Sequence, residues 1–198
     1  MAETFAAGFA EDPWFRWLWP GAEYDACARA WFGLVADVAF PKGHCYVAGD
    51  GAAASLWAPP DVALAGEADL AAAAGLLRQQ VGDRAGDALE ALALSAAHEP
   101  PTPHFACVYV AVRPEARGHG LGEAVMAPPL AACDAGGFGA HLVSTNRRNL
   151  NFYRRLGFEV AAELPVLGGV VTFRPMWRAP AAAEPLTPRI AGSGGPRR

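Results

Sequence analysis

The residues 105–112 (Phe-Ala-Cys-Val-Tyr-Val-Ala-Val) run without a break in apolar character into a loop with three glycines at alternate positions, Arg117-Gly118-His119-Gly120-Leu121-Gly122, and then into a helical stretch. The apolar run predicts a strand buried on both faces and central to a sheet. A glycine-rich loop that opens a helix gathers free backbone N–H groups at one spot, and the helix dipole adds partial positive charge there. Such a place suits a phosphate or pyrophosphate. Glycine is needed because side chains would hold the phosphates off the amides, and because it tolerates positive φ. The spacing is GxGxG rather than GxGxxG and no Gly-Lys-Ser/Thr follows, so neither a dinucleotide fingerprint nor a P-loop is matched. On its own, a glycine-rich turn before a helix is more often structural than ligand-binding.

A chain of 198 residues has room for one α/β domain, and its hydrophobic fraction of 53% against 18% charged residues excludes intrinsic disorder as its ground state. The net charge of −4, with Lys42 the only lysine among 16 basic residues, argues against nucleic acid as main partner. No uninterrupted apolar stretch is long enough to span a bilayer. The first ten residues carry Glu3 and no basic segment, unlike a signal peptide. A soluble, cytoplasmic protein with no membrane partner is expected.

Helices are predicted over 2–10 and 24–40, the second with apolar residues at Ala28, Trp31, Phe32, Val35, Val38 and Ala39. Between them Trp14, Phe15, Trp17 and Trp19 crowd into a link bounded by Pro13 and Pro20, either a core plug or the wall of a pocket for a flat ligand. Strands over 45–48 and 52–57 flank Gly49-Asp50-Gly51, a hairpin signal. The stretch 67–97 predicts two alanine-rich helices parted near Gly82-Asp83, followed by a proline-rich loop over 98–103. The helix over 120–135 contains Pro128-Pro129, which predicts a kink or a break and restart. A strand at 140–144, a helix at 149–156 and strands at 158–162 and 170–176 complete a domain of residues 1–178. The segment 179–198 has no periodicity and is expected to be a disordered tail.

A second landmark accompanies the glycine loop: Asn149-Leu-Asn-Phe-Tyr153-Arg-Arg-Leu-Gly157-Phe158. Together they resemble the GNAT superfamily of acyl-CoA-dependent N-acetyltransferases, whose pyrophosphate loop has the form Arg/Gln-x-x-Gly-x-Gly/Ala and whose later motif is Asn…Tyr…Gly-Phe. Within it the chain is most similar to the puromycin-type N-acetyltransferases, through the segments 9–13, 47–57, 120–125 and 148–160. The resemblance implies a mixed, mostly antiparallel sheet flanked by helices and acetyl-CoA as co-substrate, with no metal. It implies that the backbone of Val110, Ala111 and Val112 holds the pantetheine arm. The amides of Arg117, Gly118, His119, Gly120, Leu121, Gly122 and Glu123 would hold the pyrophosphate, with Asn149 and Tyr153 also at the cofactor. Tyr153 is implied to protonate the departing thiolate, which an O–H donor makes a better leaving group. The acceptor is a small-molecule amine, with an aminonucleoside-type antibiotic the first expectation, in a pocket drawn from Trp14, Trp17, Trp31, Trp57, Tyr109 and Val143. The rivals are a non-catalytic acyl-CoA-binding protein and a protein N-terminal acetyltransferase. Either a monomer or a homodimer is consistent with the sequence.

Two departures from the family pattern stand out. Its first strand lies upstream of the first helix, whereas this chain begins with the helix, so either the start is placed too far downstream or the sheet has lost an edge strand, which would leave an unpaired edge. The puromycin-type enzymes carry a glutamate, proposed to take the amine's proton, where this chain has Val143. Without a base, deprotonating a lysine-like amine of pKa about 10.4 at pH 7 costs about 4.6 kcal/mol, against about 1–1.4 kcal/mol for an α-amine. Glu99, His104 and Tyr109 are the candidates for a water-relayed substitute. His98, His104, His119 and His141 show no metal-ligand spacing, and Cys27, Cys45, Cys107 and Cys133 contain no CxxC pair, so core or surface histidines and four buried thiols are expected. Arg147-Arg148 at a helix start opposes the dipole, which fits either a nearby CoA phosphate or a solvated pair.

Overall fold

The computed structural model describes residues 1–180, so nearly all of the expected tail lies outside the described residues. The apolar run forms β3 (His104–Val112), in the middle of a mixed sheet. The strand order is β1 (Cys45–Ala48), β2 (Ala53–Ala58), β3, β4 (Gly139–Ser144), β7 (Val171–Arg178), β5 (Glu159–Val160), and β6 (Leu164–Val166) pairs separately with the start of β7. Among the described residues only the β3–β4 pair is parallel. Among the described residues β1 ends the strand order, with Val47 61% exposed.

Five helices pack over one face of the sheet: α1 (Ala2–Gly8), α2 (Pro13–Leu18), α3 (Tyr24–Ala39), α4 (Glu67–Val81) and α5 (Ala85–Ala96). The other face carries α6 (Leu121–Gly136) and α7 (Leu150–Arg155). Side-chain alternation along β2 divides the two cores. Ala54 and Leu56 join Phe5, Phe15 and Phe32, whereas Trp57 joins Met126, Leu142 and Phe158. Burial of a side chain such as Phe32 or Leu56 stabilises by about 1.5–3 kcal/mol each. No helix among the described residues is long and apolar enough to cross a membrane.

Three expectations are corrected. The aromatic link is itself a short helix, α2, because Asp12 Oδ1 accepts from the Trp14 and Phe15 N–H groups (3.0 and 3.4 Å) and Pro13 occupies the first helical position. Of the thiols, Cys107 and Cys133 are buried, but Cys27 and Cys45 are half-buried. And β3 is not buried on both faces along its length: Val108 is 43% exposed.

The proline pair does not break α6, which continues from Leu121 to Gly136 with both prolines inside. Pro129 has no N–H to offer the Val125 carbonyl four residues earlier. That carbonyl instead accepts from the buried Ser55 hydroxyl at 2.7 Å, and Ser55 Oγ in turn accepts from Trp57 Nε1 at 3.1 Å. The hydroxyl therefore satisfies an acceptor that the proline orphaned and a buried indole donor. Ser55→Ala is expected to lower stability by about 1–3 kcal/mol for the buried groups left unpaired. The check is the urea-unfolding midpoint at constant slope; an unmoved midpoint would mean that the relay carries no stability.

Candidate active site

Strands β3 and β4 pair from His104↔Gly139 to Cys107↔Leu142 and then part. Beyond that point β4 stays with β7 as far as Ser144↔Arg174, while β3 stays with β2 as far as Val112↔Ala53. One edge of β3 from Val108 onward thus faces a wedge instead of a strand, with backbone N–H and C=O groups available to an extended ligand.

A groove of about 470 Å³ runs along this edge to the start of α6. Val110, Ala111, Val112, Arg117, Gly118, Gly120, Leu121, Gly122, Glu123, Asn149 and Tyr153 all line it, so every expected cofactor residue is there except His119. The exposed His119 ring lies instead against the Ala116 carbonyl, Nδ1 to oxygen 3.3 Å. Gly118 and Gly120 have φ of +82° and +75°, a left-handed backbone that L side chains rarely adopt. Gly122 is tight for a different reason: a Cβ there would stand 3.2 Å from the Phe152 ring, which would have to give by a few tenths of an ångström. The first hydrogen bond of α6 is Ala124 N–H to the Gly120 carbonyl at 3.0 Å, so the amides of the first turn have no intrahelical partner. Three cations border the groove, Arg117, Arg148 and Arg155. Arg117 also donates to the Gly8 carbonyl at 3.1 Å, which fixes the end of α1 to the loop. Orphan amides, a helix N-terminus and three arginines are chemistry that suits a phosphorylated ligand, with Arg117 3.9 Å from Glu11 and Arg155 3.7 Å from Glu123 on the same groove. Of the arginine pair at the helix start, Arg148 lines this groove and Arg147 does not.

A second cavity, of about 260 Å³, opens inside the wedge. Its walls are Phe9, Trp14, Phe15, Tyr109 and Phe173, with Val143, Ser144 and Thr145 from the end of β4. Of the six expected acceptor-pocket residues, Trp14, Tyr109 and Val143 line it. Trp17 lies behind Trp14, stacked at 5.8 Å between centroids with the Arg84 guanidinium over it. Trp31 reaches the pocket only through Tyr109, whose hydroxyl accepts from its Nε1 at 3.1 Å. Trp57 belongs to the core on the opposite face. Glu99 and His104, considered as relays, lie at the other end of β3 beside Pro59 and Pro60.

Where the groove and the cavity meet, Asp12, Tyr153, Phe9, Val110 and Asn149 line both. Asp12 is only 5% exposed. Besides capping α2, its Oδ2 accepts from the Thr145 hydroxyl at 2.6 Å, across the mouth of the wedge. Burial pushes its carboxyl above the usual 3.8, outweighing the stabilising bonds from Thr145, Phe15 and Trp14. Burial also pushes the Tyr153 phenol well above its ordinary value, with smaller contributions from Cys107 and Asp12, so it remains protonated at neutral pH. Tyr109 is shifted the same way. Sequence reasoning passed over Asp12 because it read the segment that follows as a link rather than a helix and gave the aspartate ahead of Pro13 no role. Thr145, 133 residues away, is the partner that marks it as more than a cap.

Residues 85–160, from the start of α5 to the end of β5, match the family model of the acetyltransferase (GNAT) domain. Across nearly the whole chain the fold is shared with solved structures. A histone acetyltransferase HPA2 and related acetyltransferase from Corynebacterium glutamicum superposes with a TM-score of 0.66 at 24% identity, covering 91% of this chain and 90% of that one. A polyamine N-acetyltransferase from Drosophila melanogaster gives 0.58 at 18% identity, covering 90% and 92%. An agmatine N-acetyltransferase, solved as a point mutant in its apo form, gives 0.56 at 20% identity, covering 88% and 91%. The chain therefore has the GNAT fold of N-acetyltransferases, with the parted strands and the glycine loop in the segment that carries the domain's sequence.

Proposed function

We propose that this protein is an acetyl-CoA-dependent N-acetyltransferase acting on a small-molecule amine with a flat or apolar body. The observation that carries this reading is the meeting of a phosphate-receptive groove and an aromatic cavity at two buried protic groups of opposite use, Asp12 and Tyr153. Acetyl-CoA supplies the acetyl group and a thiol as leaving group. The β3 edge from Val110 to Val112 orients the pantetheine arm, and the loop Arg117–Glu123 holds the pyrophosphate.

Among the described residues Asp12 is the only acidic side chain lining the cavity, so an incoming ammonium has one carboxylate to meet. A carboxylate raised by burial is a stronger base than an exposed one and accepts the ammonium proton. The freed amine attacks the acetyl carbonyl; the C–N bond forms, the C–S bond breaks, and Tyr153 O–H donates its proton to the departing sulfur. The second proton on the new amide nitrogen passes through solvent to the Tyr153 phenolate, and solvent takes the first from Asp12, so one proton is released per turnover. Val143, apolar where the puromycin-type enzymes have glutamate, helps to keep the Asp12 carboxylate out of water.

Polyamines carry a second cation, for which the described cavity walls offer no second acid. An amine on an aromatic body, of which an aminonucleoside-type antibiotic is one example, matches Trp14, Phe15 and Phe173 better. The test is thiol release from acetyl-CoA with a panel of aromatic amines, aminonucleosides, polyamines and peptide N-termini. The expected result is turnover greatest with the aromatic amines. Binding of acetyl-CoA with no thiol release across the panel would point to a non-catalytic binder, and turnover confined to peptides would make it an N-terminal acetyltransferase. Polyamines as best acceptors would refute the selectivity argued from Asp12.

A further inference from the structure

Away from the acetyl-transfer site, three ligand-bearing side chains converge at the opposite end of the parallel strand pair. His104 is the first residue of β3, His141 lies on β4 in register with Ala106, and Glu99 comes from the loop after α5. One ligand atom from each lies within 4.8 Å of the others. His104 Nε2 is already 3.4 Å from Glu99 Oε1. His104 Nδ1 is 2.7 Å from the Thr102 carbonyl, which can only accept, so Nδ1 carries a proton and Nε2 is the ring atom turned toward Glu99. His141 is only 7% exposed, and its Nε2 has no hydrogen-bond partner among the described residues.

We propose that Glu99, His104 and His141 bind one divalent transition-metal ion, with Zn²⁺ the best fit and solvent completing a tetrahedron. A buried imidazole nitrogen with no partner costs stability unless something occupies its lone pair. Two imidazoles and a carboxylate suit Zn²⁺ and its neighbours, whereas Mg²⁺ and Ca²⁺ prefer oxygen-only shells. Zn–N and Zn–O bonds of about 2.0–2.2 Å place tetrahedral ligand atoms about 3.3–3.5 Å apart. The His104–Glu99 separation meets that requirement, and the Glu99 side chain, 51% exposed, is free to turn toward His141. The Thr102 carbonyl on Nδ1 is the kind of outer partner that fixes the tautomer of a metal-bound histidine. A surface hollow lined by Pro59, Pro60, Thr102, Glu99 and His104 gives the ion access.

Sequence spacing hides this group because its members come from a loop and two strands. A bound ion would fasten the 98–103 loop to the starts of β3 and β4, the pair whose parting farther along opens the reaction site. Its role is that of a clamp, remote from Tyr153 and Asp12.

The full chain, stripped with a chelator and titrated with Zn²⁺ by calorimetry, is expected to take up one equivalent, with Tm rising by about 5–10 °C at 100 times Kd. Glu99→Ala, an exposed change that leaves the core intact, and His104→Asn are each expected to weaken binding at least about 10–100-fold, the effect of losing even an outer-shell partner. Co²⁺ in place of Zn²⁺ should show four-coordinate d–d bands without thiolate charge transfer. Lack of stoichiometric binding, binding undiminished in both variants, or a thiolate band placing the ion on cysteine would each overturn the proposal.

Discussion

Asp12→Asn is expected to lower kcat/KM for the acceptor at pH 7 by about 10²-fold or more, the ordinary contribution of a positioned base, while leaving the protein as stable as the parent or more so. Asparagine is as good an N-cap as aspartate, so α2 keeps its first-turn bonds, and Thr145 can still hydrogen-bond the amide. Only the charge is lost. The direction of the stability change follows from the raised carboxyl pKa, for which desolvation is the chief cause. The folded state then binds this proton more tightly than the unfolded chain. Its contribution to stability is complete below the unfolded value near 3.8 and is lost as pH rises through the higher folded value. Above its folded pKa the parent holds a buried charge that the variant lacks, and there a Tm equal to or above the parent's is the result expected. A cap with no catalytic part predicts a similar Tm as well but unchanged turnover, so turnover is the discriminating readout. The pH profile adds a second criterion. In the variant, the rate should climb with the neutral fraction of whichever amine is supplied, shifting with that amine's own pKa, while the parent keeps substantial activity on the protonated amine at neutral pH. Parental kcat/KM in a folded Asp12→Asn protein would remove Asp12 from the mechanism.

Local pattern determined what was readable before folding. The two alanine-rich helices and the gap between them, α3, and the hairpin all follow from periodicity and turn residues over windows shorter than 20 residues. The glycine loop was legible because its need for positive φ at Gly118 and Gly120 is written in residue type. What escaped depended on partners distant in sequence. The continuity of α6 through Pro128-Pro129 depends on Ser55, 70 residues upstream of Val125, and nothing within the helix reports it. Val108 is the extra residue of a bulge opposite the Leu56–Trp57 step of β2, next to the point where β4 leaves β3, and an eight-residue apolar run carries no mark of either. The strand β6 has Pro165 at its centre, which argues against a strand unless that residue is at an edge, and here it is exposed. Asp12 and the Glu99–His104–His141 group were hidden for the same reason, since the partner of Asp12 is Thr145, 133 residues on, and the three members of the group come from a loop and two strands.

Tyr153→Phe should reduce kcat by about 10²-fold or more with acetyl-CoA affinity little changed, because it removes one O–H and nothing else. The ring packs edge-on against Phe152 and Phe158, at 5.2 and 6.3 Å between centroids, and phenylalanine preserves both contacts. No hydrogen bond within the described residues engages the hydroxyl, so its removal strands no buried partner, and a packing role alone predicts an unaltered rate. Burial holds the phenol protonated far above neutral pH, which gives a donor at every pH where the amine is competent. A thiolate of pKa near 8.5 gains from that donor as the C–S bond breaks, and a more acidic thiol gains less. The deciding comparison therefore uses two acetyl thioesters, one with the ordinary thiol and one with a thiol of lower pKa. With the ordinary donor the parent should exceed the variant by the full factor; with the acidic leaving group the gap should narrow. An equal gap for both donors would show that the Tyr153 proton does not go to sulfur, and equal rates for parent and variant would leave Tyr153 as a wall of the groove.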